Sequence, residues 1–231
     1  MAVASPAHPR RLPYLLAGLA AALLWAFGFV ADEVIEGDTV GFDTAVTAFF
    51  RDGGNLGDPW GPTWLEEAVR DVTAMGSFTI LGFVLIVAVL FLGLSGKGRT
   101  AVFVAVSVIG GTIASTGLKL LFDRPRPDVE AATRVFTASF PSGHATVSAV
   151  VYLTLGLLLA EATSNRALKL YYIGLGVFIT LAVGLSRIYI GVHYPTDVIA
   201  GWSLGAAWAL VCWASYSVLF GHDRGQTRGR V

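Results

Sequence analysis

Phe140-Pro141-Ser142-Gly143-His144-Ala145-Thr146 is a small polar knot set between long apolar runs, and its reading decides what the chain is. Serine, glycine and histidine in succession are poor material for the middle of a membrane span but suit the start of a helix. Ser142 is a good N-cap residue, and Gly143 leaves the backbone uncovered. The free N–H groups behind them face any anion that docks there. His144 falls in the first turn, where an imidazole can give a proton to such an anion or take one from it. An ordinary capped helix start with a surface histidine reads the same from these residues alone, so the flanking sequence has to decide.

Of the 231 residues, 55% are hydrophobic and 14% charged, with a mean hydropathy of +0.67. Soluble domains carry about 25% charged residues. The apolar residues come in long blocks rather than at strand or helix periods, which is the pattern of a membrane protein. The formal net charge of +0 gives no reason to expect nucleic acid as a partner. A single cysteine, Cys212, excludes an intrachain disulfide and leaves the redox compartment unread.

Outward from the knot, the chain divides into six apolar spans at 13–30, 76–94, 101–122, 144–160, 170–185 and 198–219. Residues 1–12 form a short polar start with Arg10 and Arg11. The run after it is long for a signal peptide, and no clear small-x-small cleavage site follows, so a retained span is expected. Residues 31–75 are acidic, with ten carboxylates against Arg51 and Arg70. Within them, 42–50 and 63–74 read as amphipathic helices at the interface. Gly53, Gly54, Gly57, Pro59, Gly61 and Pro62 mark a loop between the two, with Trp60 and Trp64 as interfacial anchors. The expected fold is therefore all-α: a single integral membrane domain over 1–231, a six-transmembrane-helix bundle with short amphipathic helices between spans one and two. Its parts are a cytoplasmic N-terminus (1–12), an external acidic segment (31–75), a helical core carrying the chemistry (76–219) and a cytoplasmic tail (220–231).

Orientation follows from the basic short loops. The N-terminus, the Lys97/Arg99 turn, the Arg166/Lys169 loop and the tail with Arg224, Arg228 and Arg230 share one side of an even-numbered bundle. Both termini are expected to be cytoplasmic. The polar loops at 123–140 and 186–197 then face the periplasm or exterior of a bacterial inner membrane. Lys119, Arg124, Arg126, Arg134 and Arg187 cluster on that outer side, against the simple rule, and so need a reason of their own.

Lys119 ends the third span, and Arg126 follows seven residues later in Asp123-Arg124-Pro125-Arg126-Pro127. The prolines stop the helix and extend the chain, so that Arg126 can curl back over Lys119. Snorkelling and headgroup binding would account for either cation alone. Arg187 ends the fifth span. Pro195 suits the first helical residue of the sixth, which makes Asp197 the third. A carboxylate there can cap the helix, or it can orient His193 and fix its tautomer. Taken together, three cations, a helix N-terminus and two histidines meet at one membrane face. Such a set fits a phosphate. One imidazole backed by a carboxylate serves as nucleophile and the other as general acid. No metal-ligand cluster accompanies them, so metal-free phosphoryl transfer without a cofactor is expected.

Lys119 with Arg126-Pro127, then Pro141-Ser142-Gly143-His144, then Ser186-Arg187 with His193 and Asp197, resembles the three-part pattern of the type 2 phosphatidic acid phosphatase superfamily. The resemblance covers roughly residues 70–215, and order and spacing fit at every motif position. It implies that His193 attacks phosphorus to form a phosphohistidine, that Asp197 orients it, and that His144 protonates the leaving oxygen and later activates water. Lys119, Arg126, Ser142, Gly143 and Arg187 would hold the phosphoryl oxygens. The implied substrate is a lipid phosphate or diphosphate such as phosphatidic acid, phosphatidylglycerophosphate, undecaprenyl diphosphate or a lipid A phosphate. A lipid phosphotransferase would use the same pocket. The superfamily's vanadate-dependent haloperoxidases are soluble, which the spans argue against. A transporter would want charges near mid-bilayer, where these spans are nearly free of them.

Overall fold

The computed structural model describes residues 11–53, 55–129 and 137–220. Arg10, Arg134, Arg224, Arg228 and Arg230, part of the charge pattern used above, lie outside them. Eight helices and one small hairpin follow in order: α1 Arg11–Glu36, α2 Val40–Phe49, β1 Arg51–Asp52, β2 Asn55–Pro59, α3 Thr63–Ala74, α4 Phe78–Leu94, α5 Gly98–Phe122, α6 Gly143–Glu161, α7 Arg166–Ile190 and α8 Pro195–Phe220. The all-α expectation holds. The two antiparallel strands within the glycine- and proline-rich loop are an addition that its composition did not signal.

Five helices, α1 and α5 to α8, are long and apolar enough to cross a membrane. The sixth is a pair: α3 and α4 are bent by 46° at a short break. Alone, α4 has 17 residues, short of the ~20 that a hydrocarbon core requires. Large apolar side chains such as Phe83, Leu90, Leu94, Leu120 and Leu121 stand exposed along the bundle, as lipid-facing residues do. The first apolar run also continues as helix past Val30 to Glu36. Asp32, Glu33 and Glu36, at the start of the acidic segment, lie on its last turns.

Helix α6 sits at the centre, packed against α5, α7 and α8. Because lipid is as apolar as leucine, helices in membranes associate through close backbone approach at small residues. Two seams of that kind grip α6. Across one, a Cβ on Gly156 would stand 2.8 Å from the Tyr172 carbonyl oxygen, and one on Gly176 would stand 2.6 Å from that of Tyr152. Across the other, Gly201 and Gly205 of α8, spaced four apart, ride on the start of α6. A Cβ at Gly201 would meet the Ser142 carbonyl oxygen at 2.8 Å, and one at Gly205 would meet Ala149 Cβ at 2.7 Å and overlap the Thr146 carbonyl. Tryptophans of α8 fill what other glycines leave open: Trp202 lies on Gly184 of α7 and Trp208 on Gly110 and Gly111 of α5. Their indole N–H groups donate to the carbonyls of Thr180 (3.0 Å) and Ser107 (2.7 Å), so neither is left unsatisfied in the apolar interior.

Candidate active site

One end of the bundle collects the starts of α6 and α8 and the ends of α5 and α7. Helix α5 stops at Asp123, which takes the left-handed conformation (φ 39°), and Arg124-Pro125-Arg126-Pro127 leaves it. Lys119, on the last turn, donates to the carbonyl of Ala138 at 2.6 Å. Arg126 donates from Nε to the Thr137 carbonyl at 2.9 Å and from Nη2 to the Ala138 carbonyl at 3.4 Å. The expected curl of Arg126 back towards Lys119 is thus present: both cations gather the carbonyls of residues 137–139, the segment that leads into the polar knot.

Ser142 occupies the N-cap position of α6, but its hydroxyl makes no capping bond. The capping bond expected of a serine at this position is therefore absent. Instead its N–H donates to the Asp197 carbonyl at 2.9 Å, tying the start of α6 to α8, and its buried Oγ has no partner. Lys119 closes in from the side, since a Cβ on Gly143 would lie 3.4 Å from Lys119 Cε. Arg187, on the last turn of α7, donates from Nη1 to Thr73 Oγ1 of α3 at 3.1 Å, and its buried Nε also lacks a partner. A buried donor left unpaired costs about 1–3 kcal/mol, so two of them beside one helix N-terminus mark a place prepared for an acceptor.

His144, one residue into α6, lies within electrostatic range of Arg187, His193, Arg126 and Lys119. Gly76, in the break between α3 and α4, packs on its ring: a Cβ there would lie 3.2 Å from His144 Cδ2 and overlap Val183. The absence of a side chain at residue 76 is what lets the α3–α4 elbow close on the histidine.

His193 follows α7 after Gly191, a left-handed C-cap (φ 83°). Its ring is wholly enclosed. Nδ1 stands 3.4 Å from Asp197 Oδ2 and 3.3 Å from Ser139 Oγ, while Nε2 stands 3.1 Å from Arg126 Nη1. Arg126 can only donate, so Nε2 presents its lone pair and Nδ1 carries the proton towards Asp197. Burial pushes the imidazole down to about 3, against the pull of Asp197 and with help from Arg187 and Arg126. The resting ring is neutral.

Asp197 does both things open to a first-turn carboxylate. Its Oδ2 accepts the Tyr194 N–H at 2.9 Å as a helix cap and faces His193 with the same oxygen. Ser139 Oγ donates to it at 2.5 Å. Its Oδ1 accepts from Arg124 Nη1 at 2.6 Å. Burial opposes the charge on Arg124, but Asp197 and Asp43 outweigh it and hold the guanidinium firmly protonated. All eight residues picked out in the sequence, Lys119, Arg126, Ser142, Gly143, His144, Arg187, His193 and Asp197, therefore meet at this end of the bundle. Ser139, Thr73, Arg124 and Asp43 complete their surroundings and were not singled out. Only for Arg124 was there a signal, a surplus arginine on the outer face. Among the described residues, no group of three or more His, Cys, Asp or Glu side chains could hold a metal ion.

Residues 100–220 match the PAP2 superfamily. Phosphatidylglycerophosphatase B of Bacillus subtilis is 32% identical over 146 residues, 62% of this chain and 70% of that protein. An undecaprenyl-diphosphatase of Sulfolobus acidocaldarius is 43% identical over 68 residues, 29% of either chain. The crystal structure of a transmembrane PAP2-type phosphatidylglycerolphosphate phosphatase from Bacillus subtilis superposes with a TM-score of 0.78. It is 23% identical and the match covers 87% of this chain and 96% of that one, which establishes the shared fold. With the motif blocks, the bundle and the family match in agreement, this chain belongs to the PAP2 superfamily, among its membrane lipid phosphatases.

Proposed function

We propose that this chain hydrolyses a lipid phosphate monoester or diphosphate at the outer membrane–water interface through a phosphohistidine on His193. The observation that carries the reading is the enclosed His193, with Nδ1 3.4 Å from Asp197 Oδ2 and Nε2 3.1 Å from Arg126 Nη1. Nε2 forms the bond to phosphorus as the bond to the lipid oxygen breaks, and His144 gives that oxygen its proton. Water then attacks the phosphohistidine, His144 takes a proton from it, and inorganic phosphate leaves as His193 is restored. Lys119, Arg126, Arg187, the Ser142 hydroxyl and the Gly143 N–H are the groups for the phosphoryl oxygens. Phosphatidylglycerophosphate and undecaprenyl diphosphate, named for the two relatives, head the candidate substrates, with phosphatidic acid and lipid A phosphates behind them. The test is phosphate release by the purified protein from a panel of these lipids in EDTA. Turnover with one phosphate released per lipid consumed is expected. Transfer to a second lipid would replace hydrolysis by phosphotransfer, and loss in EDTA restored by magnesium would overturn the mechanism.

The acidic segment and both polar loops belong outside in this reading, with both termini in the cytoplasm, because the Lys97/Arg99 and Arg166/Lys169 turns carry the short-loop positive charge. Reporter fusions after Leu94 and after Ala160 should both register as cytoplasmic. An external signal from either would move the site to the other face.

Ser142→Ala separates binding from stability. The hydroxyl has no protein partner, so melting in detergent should stay the same or rise slightly. Inhibition by vanadate, which mimics the five-coordinate phosphoryl group, should weaken by roughly 10–100-fold, the worth of a hydrogen bond to a charged group. Unchanged vanadate inhibition would remove Ser142 from the pocket.

A further inference from the structure

Asp43 lies in the acidic segment before the catalytic blocks, yet it is fully buried at the site. One oxygen accepts the Thr196 N–H at 3.1 Å. The other accepts from Thr196 Oγ1 at 2.6 Å and from Arg124 Nη2 at 2.7 Å. The second arm of the Arg124 fork bonds Asp197 Oδ1 at 2.6 Å. Thr39, just before α2, accepts from Nη2 at 3.3 Å, and the guanidinium lies 4.5 Å from the centre of the Tyr194 ring. One partly buried guanidinium is therefore shared between two buried carboxylates, and only one of these faces His193.

The charge count gives the arrangement a purpose. Asp43, Arg124 and Asp197 sum to one negative charge beside an imidazole that is neutral at rest. Phosphoryl transfer to Nε2 puts positive charge on that ring. Arg124 alone would cancel Asp197 and leave the developing imidazolium without support. With Asp43 cancelling Arg124, the negative charge of Asp197 remains for His193. Arg124 also occupies Oδ1 and leaves Oδ2 to the ring. At separations of a few ångströms away from water, such charges are screened far less than at a surface.

We propose that Asp43 and Arg124 are positioning residues for the phosphoryl transfer, acting through Asp197: Arg124 fixes the carboxylate, and Asp43 offsets the charge of Arg124 so that Asp197 keeps its own. Helix α2 is on this account part of the catalytic apparatus. The inference rests on the role of Asp197 given above.

The test measures kcat and KM for a soluble short-chain lipid phosphate, and the rate of phosphoprotein formation, on full-length variants in detergent with melting followed in parallel. Asp43→Asn is isosteric and uncharged, and should lower kcat and the phosphorylation rate by about tenfold with KM little changed, the size expected for coupled groups in one network. Asp43→Glu keeps the charge in a longer side chain, and should retain more activity than Asp43→Asn even where it melts lower. In an Arg124→Gln background no cation remains to be offset, so Asp43→Asn should cost little more. Asp43→Glu at or below Asp43→Asn in kcat, or full additivity with Arg124→Gln, would overturn the proposal and leave Asp43 a packing residue. Should Asp43→Asn not fold, Asp43→Glu decides: a kcat loss as large as that of Asp197→Asn overturns the inference. Asp197→Asn is the control. If it is harmless, the function assigned to Asp197 fails and this inference with it. If it is damaging while Asp43→Asn is not, only the inference fails.

Discussion

His193→Ala is expected to abolish phosphate release from every substrate, by at least ~10⁴-fold, because it removes the atom that bonds to phosphorus rather than one that assists. Rapid quenching of wild-type enzyme with radiolabelled substrate should trap an acid-labile phosphoprotein, and the variant should trap none. Of the other groups at the site only His144 is an imidazole, and it has no carboxylate described behind it. Lys119 and Arg126 are donors engaged with carbonyls, and the Ser142 hydroxyl has no base bonded to it. Asp197→Asn should fall between wild type and His193→Ala: the nucleophile remains, but Nδ1–H loses its carboxylate and the tautomer that exposes the Nε2 lone pair is no longer enforced. Label retained in His193→Ala would place the covalent step elsewhere.

The second large effect depends on the leaving group. An alkoxide needs a proton as it departs, and general acid catalysis is typically worth about 10²–10⁴-fold. His144→Ala should lose that much on an alkyl phosphate. A nitrophenolate leaves without a proton, so the same variant should release it from nitrophenyl phosphate at close to the wild-type rate in the first turnover and still form the phosphoprotein. Hydrolysis of that intermediate should slow, because His144 also serves the incoming water. Equal losses in the first-turnover rate on the two substrates would show that His144 holds the phosphate rather than donating a proton.

The six apolar runs and all eight motif residues were legible because both signals are local: a span declares itself by composition, and each motif block by a few neighbouring residues. The partners that complete the site were not legible. Arg124 and Asp43 are 81 residues apart, and Thr196 and Asp43 are 153 apart. In the sequence Asp43 is one of ten carboxylates in an acidic stretch, and nothing in its neighbours says that it is buried. Ser139 reads as loop, and it bonds Asp197 only because Lys119 and Arg126 hold the backbone around it. The bend between α3 and α4 was hidden for a different reason. Gly76 and Ser77 read as the beginning of an apolar run, whereas residue 76 is the point at which the backbone turns onto His144.

The seam of Gly201 and Gly205 against the start of α6 has a kinematic consequence. Backbone seats on backbone there, the Ser142 N–H bonds the Asp197 carbonyl, and the side chains nearest the two glycines are Ala145, Ala149 and Thr146, the last tethered by its hydroxyl to the Ser142 carbonyl. The first turns of α6 and α8 move as a single link. Ser142, Gly143 and His144 on one and Asp197 on the other are then expected to keep their spacing when a ligand binds. Any freedom to fit a larger or smaller headgroup is then expected at the α3–α4 elbow, since α2 is itself tied to the start of α8 through Asp43 and Thr196.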